Sequence, residues 1–240
     1  IAASPAGTGY VNYIMAEAAE LMALGDVAVV AVQYGEVPSM LSMGKVGEAA
    51  DLYAMVVSRL REEIDALERP IRLLAYGESL GAITCQRGVL QASPSSSELI
   101  VDGALWVGTP YGSKLFEELT ASGVPVFDHF SVVVERRSAG LEDPAAWLLN
   151  HDNDPVTKSD PAILWSMPSW LSTSERGRNM EPNQRWLPGV SFWQALIDTK
   201  NAATVVPGEF FSTGHDYRAD LAEFIRAAYG FTDVSDDQMV

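Results

Sequence analysis

Two kinds of apolar patterning alternate along the chain. Short runs of mostly apolar residues occur at 27–32, 71–76, 99–107 and 145–150. The first, Val-Ala-Val-Val-Ala-Val, has the composition of a parallel strand buried on both faces. Between such runs, apolar residues return every three or four positions. Over Val46 to Leu67 they are Ala50, Leu52, Tyr53, Val56, Val57, Leu60, Ile64 and Leu67, which is the stripe of an amphipathic helix. The spacing also predicts helices over Val11–Leu24, closed by Gly25, and over Tyr217–Tyr229, closed by Gly230. Shorter helices are expected after Gly81, over Ser113–Leu119 and over Val190–Thr199, with a helical turn at Asp160–Trp165. Ile1-Ala2-Ala3 reads as the end of a strand, and Val124–Val134 as irregular chain with β character. Thr204-Val205-Val206 is the best strand candidate before the last helix.

Strands alternating with helices imply an α/β fold, a mostly parallel sheet with helices on both faces. Residues 1–240 are expected to form one domain, with a cap- or lid-like excursion over about 166–199 that begins in a Pro-, Ser-, Arg- and Trp-rich stretch. A chain of 240 residues, 48% apolar, is large enough for a well-buried core. No window approaches the roughly twenty apolar residues of a membrane helix, and no leader sequence is visible. Sixteen basic against 32 acidic residues leave a formal charge of −16, a field that repels nucleic acid and anionic lipid. The single cysteine, Cys85, has no internal disulfide partner and reads as a small buried residue. The histidines are scattered, and no glycine-rich phosphate loop precedes a lysine-bearing helix, so neither metal nor cofactor is expected.

One stretch carries chemistry. Gly77-Glu78-Ser79-Leu80-Gly81 follows a predicted strand and precedes a predicted helix. Strand, G-x-S-x-G, helix is the setting of a nucleophile elbow, in which the serine hydroxyl stands at the sheet's edge. A serine needs a base, and the base needs an orienting carboxylate, here in the chain order Ser, acid, His. His215 lies just before the terminal helix, where that base belongs. The strand ending at Val107 is followed by Gly108-Thr109-Pro110, which holds no carboxylate; the next ends in Asn150-His151-Asp152-Asn153-Asp154-Pro155, which holds two. Asp154 has the spacing of the acid and Asp152 is the alternative, while an Asp-rich turn accounts for both equally simply. The Leu80 N–H, and that of Thr8 in Gly7-Thr8-Gly9, are the candidate donors to an oxyanion. Trp186 and Trp193 either line an acyl site or pack the excursion onto the domain.

Several blocks together resemble a known family. They are Leu74-Ala75-Tyr76 with the elbow, Asp102 to Pro110, His151 to Val156, Arg185 to Gln194, and Gly214-His215 with Tyr217. They resemble an actinobacterial α/β-hydrolase family whose members carry an N-terminal membrane-spanning region ahead of a hydrolase domain. The resemblance implies the triad Ser79, Asp154 and His215. It also implies first strands and a membrane anchor ahead of Ile1, with this chain as the soluble part. The His loop departs from the family in lacking a second Gly-His step. The expected activity is hydrolysis of a carboxylic ester with a hydrophobic acyl or alcohol part, on a small or lipid-like substrate. Acyl transfer by the same triad, or a binding protein on a hydrolase scaffold, are the alternatives.

Overall fold

The computed structural model describes residues 1–6, 9–35, 42–95, 98–172, 176–202, 206 and 208–231. Its strands are β1 (Ala2–Ser4), β2 (Val30–Ala31), β3 (Leu74–Glu78), β4 (Gly103–Val107), β5 (Val126–Phe127) and β6 (Ala146–Leu149). They form one parallel sheet in the order β2-β1-β3-β4-β6-β5. Its α-helices are α1 (Tyr13–Met22), α2 (Val46–Asp65), α3 (Leu80–Ala92), α4 (Lys114–Ala121), α5 (Phe130–Ser138), α6 (Pro155–Lys158), α7 (Val190–Asn201) and α8 (Leu221–Tyr229).

The period of two along each strand sorts side chains onto two faces of the sheet. Tyr76, Leu105, Val107, Trp147 and Leu149 meet α1 and α8 through Met15, Ala19, Leu221, Phe224 and Tyr229. Ala75, Ala104, Trp106 and Leu148 meet α2 and α3 through Tyr53, Val57, Cys85 and Val89. Cys85 is held in that second layer. Its thiol donates to the Tyr53 hydroxyl at 3.3 Å and accepts from Trp106 Nε1 at 3.2 Å, and burial pushes its pKa up to about 12. A thiol so placed is inert packing.

Two expectations need correction. Residues 27–32 do not form a buried strand: only Val30 and Ala31 pair with β1, and both are exposed at the sheet's edge. An apolar run marks what can be buried, but burial depends on the strands and helices that come to pack against it. Val124–Val134 is not irregular β-like chain throughout. After the short edge strand β5 it enters α5, which buries Val133 and carries Arg136 and Arg137 in its last turn, where cations complement the helix dipole. The Phe130 ring packs edge-on against Phe224 at 5.5 Å, a tertiary contact that overrides the β-branched triplet Val132–Val134. The terminal helix starts at Leu221, four residues late, because Tyr217–Asp220 forms a turn instead. Of the strand suggested at 204–206, two residues lie outside the described residues, and Val206 is exposed and in no strand. No described helix is long and apolar enough to cross a membrane.

Candidate active site

Ser79 sits between β3 and α3 with φ 57° and ψ −126°. For a residue with a Cβ this is strained backbone, at a cost of about 1–3 kcal/mol. The surroundings hold it there. Its N–H donates to the Val107 carbonyl at 2.9 Å, and its own carbonyl accepts from Ala82 at 2.9 Å. The flanking glycines are a steric requirement. A Cβ on Gly77 would strike the Gly81 carbonyl, and one on Gly81 would strike the Ser4 carbonyl. α3 therefore approaches β3 at Gly77 and β1 at Gly81 closely enough to leave no room for a side chain at either position. Leu80 is the first residue of α3, so its N–H has no acceptor within the helix. Thr8 lies outside the described residues.

His215 reaches the same edge from the far end of the chain. A Cβ on Gly108 would lie 2.8 Å from His215 Cε1 and 2.8 Å from Tyr217 Cε2. Gly108 directly follows Val107, the residue that accepts from Ser79. The bare Gly108 backbone, at φ 57°, is thus the floor under the imidazole, and it lies beside the serine.

The carboxylate behind the imidazole is Asp154. His215 Nδ1 donates to Asp154 Oδ2 at 2.7 Å, and the Tyr217 hydroxyl donates to the same oxygen at 2.6 Å. The other oxygen, Oδ1, accepts from the Val156 N–H at 2.8 Å and so caps α6. Turn formation and imidazole binding, posed above as rival explanations, are divided between the two oxygens of one buried side chain. Asp152 faces elsewhere. Its N–H donates to Asp128 Oδ1 at 2.6 Å, its Oδ2 accepts from the Arg178 N–H at 3.1 Å, and Gly177 lies against it. It ties the strand end to the excursion. Asp216, although adjacent to His215, is committed to Arg218, accepting from its backbone N–H at 3.2 Å and from its guanidinium at 2.9 and 2.8 Å.

The charges around His215 are one-signed. Burial by itself would lower the pKa of His215; the Asp154 charge and hydrogen bond, with smaller pushes from Glu78 and Asp216, outweigh it and leave the imidazole above the ordinary histidine value. Burial, then the Asp154 charge, hold the Tyr217 phenol well above its usual range, so it serves as a donor. Glu78 Oε2 is fixed by the Tyr76 hydroxyl at 2.6 Å and by Asn12 Nδ2 at 3.0 Å.

The sequence reading holds Gly108, Tyr217 and Glu78 only inside its motif blocks and gives none of them a place at His215 or Asp154. The proposed substrate-contacting tryptophans are placed differently from each other. Trp186 is half-buried and donates from Nε1 to the Ile163 carbonyl at 2.8 Å, while Trp193 on α7 is 60% exposed and meets Phe192 edge-on.

Comparison with known proteins agrees with this architecture. Among curated proteins and among solved structures, nothing matches the chain. A family described as Alpha/beta-hydrolase family matches it over residues 1–240. Such membership points to a hydrolase with a small-molecule substrate. With its parallel sheet, its elbow at the end of β3 and its match along the full length given, the chain belongs to an alpha/beta-hydrolase family.

Proposed function

We propose that this protein is a serine hydrolase that cleaves a carboxylic ester with a hydrophobic acyl or alcohol part through an acyl-enzyme. The carrying observation is the 2.7 Å His215–Asp154 hydrogen bond, set beside the strained elbow serine at the same sheet edge. In this reading His215 Nε2 takes the proton of Ser79 as Oγ attacks the ester carbonyl, and returns it to the departing alcohol. Asp154 holds the tautomer that leaves Nε2 free and stabilises the imidazolium. The N–H of Leu80, with that of Thr8 as the second donor, receives the developing oxyanion. Water then enters as the second nucleophile and the same steps run in reverse order. The test is labelling with a fluorophosphonate. The adduct should map to the peptide carrying Ser79; an adduct on any other serine, or none, would count against the assignment.

A pH profile follows from the charges around the base. Activity requires neutral His215, and its raised pKa means that kcat/KM falls away with decreasing pH already above the ordinary histidine value. Removing one of the negative charges should lower that pKa. Glu78→Gln, which keeps the side-chain shape, is therefore expected to shift the acid limb of kcat/KM to lower pH. An acid limb that stays put or moves up would show that Glu78 does not act on the base.

The excursion is the proposed cap over the acyl site, with Trp186 and Trp193 contacting substrate. Trp193→Ala should raise KM for long-chain p-nitrophenyl esters more than for the acetate, at an unchanged melting temperature, because its ring is exposed. Trp186→Ala should show the same chain-length trend and, in addition, a lower melting temperature from loss of the Ile163 contact. Equal effects on all chain lengths would mean that both rings only pack the excursion.

A further inference from the structure

His151 is a second histidine at the same sheet edge, fully buried, and the chemistry above does not use it. It follows β6 by two residues and precedes Asp154 by three. Its backbone N–H and both ring nitrogens reach toward the segment that carries the base, while its carbonyl accepts from the Asp154 N–H at 3.1 Å. The backbone N–H donates to the Tyr217 hydroxyl at 3.0 Å. Ring Nδ1 lies 2.8 Å from the carbonyl of Gly214, the residue just before His215. Ring Nε2 lies 3.0 Å from Asp220 Oδ2, at the start of α8. The ring stacks on Tyr217 at 4.1 Å, and Tyr217 meets His215 edge-on at 5.7 Å.

The donors and acceptors in this cluster leave little freedom. A carbonyl only accepts, so the Gly214 contact requires a proton on His151 Nδ1. Ser212 Oγ accepts from Arg178 Nη2 at 3.0 Å and donates its single proton to Asp220 Oδ1 at 3.0 Å. Asp220 therefore accepts at Oδ1, and its Oδ2 and His151 Nε2 share one further proton. The pair holds two protons, one on each side of the ring; the Asp220 contact is buried and the Gly214 contact partly so, where an unmade bond is expensive. One side chain thus pins the base loop on both flanks, at Gly214 before His215 and at Asp220 after it.

We propose that His151 is a positioning residue for the base: it holds the 214–220 segment so that His215 Nδ1 stays on Asp154. This rests on the serine hydrolase reading for its kinetic consequence, but not for its structural one. His151 contacts the loop and never the substrate, so its effect runs entirely through the His215–Asp154 bond.

The experiment uses the chain labelled with nitrogen-15 in its histidines. Wild type should show a downfield His215 Nδ1 proton, assigned by its absence in His215→Gln. In His151→Gln an amide serves one of the two ring contacts only, so that resonance should broaden or vanish, and kcat should fall about 10²-fold with KM unchanged, the scale of a misplaced catalytic group. Asp220→Asn leaves Nδ1–H on Gly214 and should retain the resonance. Persistence of the resonance in folded His151→Gln overturns the inference. If that variant does not fold, wild type decides: the His151 and His215 Nδ1 protons should exchange with solvent in one common opening, and a His215 proton that exchanges far faster than that of His151 overturns it. The resonance and the proton exchange do not depend on ester turnover, and labelling of Ser79 judges the hydrolase reading separately.

Discussion

Ser79→Ala is expected to lose about 10⁶-fold in kcat toward p-nitrophenyl esters, the scale on which removal of a triad nucleophile acts. The variant should also fail to react with a fluorophosphonate, and it should stay folded. Folding is expected to survive because the contacts that shape the elbow are made by backbone and by glycine. The Ser79 N–H bond to Val107, the Ser79 carbonyl bond to Ala82 and the close approaches at Gly77 and Gly81 do not involve Oγ. Ala at φ 57° carries the same backbone strain as Ser, so the melting temperature should hardly move. The loss should not be total. With a preformed oxyanion hole, a residual rate of about 10³–10⁴ over water remains when the triad is broken. Retention of near wild-type turnover, or of the phosphonate adduct, would remove Ser79 from the mechanism and with it the whole reading.

Asp154→Asn should cost about 10⁴ in kcat, because an amide at this place favours the tautomer that puts the proton on the wrong ring nitrogen. Two donors, His215 Nδ1 and the Tyr217 hydroxyl, converge on Asp154 Oδ2. An amide NH₂ turned toward them would oppose both, and an amide oxygen turned toward them would put the NH₂ against the Val156 N–H, which Oδ1 now accepts. Either orientation leaves one buried donor facing another, so a drop in stability of about 1–3 kcal/mol should accompany the loss of rate. Asp152→Asn makes the comparison. Its carboxylate accepts from the Arg178 N–H and packs on Gly177, away from the base, so it should lower stability modestly and leave kcat near wild type. Rates measured well below both melting temperatures separate the two effects. Reversal of the order, with Asp152→Asn the inactive one, would overturn the assignment of the acid.

The sequence alone determined what depends on residues close together in the chain. The elbow is such a feature: a strand, a serine between two glycines and a helix are adjacent, and the requirement for Gly77 arises where that helix folds back along its own strand, although the one for Gly81 comes from β1. The same holds for α2, whose stripe is set by the 3.6-residue period, and for the parallel sheet, implied by strand–helix alternation. Tertiary structure decided whatever depends on a distant neighbour. The 27–32 run looks buried by composition, yet β2 pairs on one side only and lies exposed. Val132–Val134 favours a strand locally, but the Phe130–Phe224 contact belongs to a helix packed on the sheet. Asp152 and Asp154 are two residues apart in the same polar turn, and spacing favours Asp154 without naming the partner of either. What separates them is that one faces Arg178 and the other faces His215, partners 26 and 61 residues further along. His151 and Tyr217 gained their places for the same reason: their contacts join two loops that only the assembled fold brings together, so no spacing along the chain could announce them.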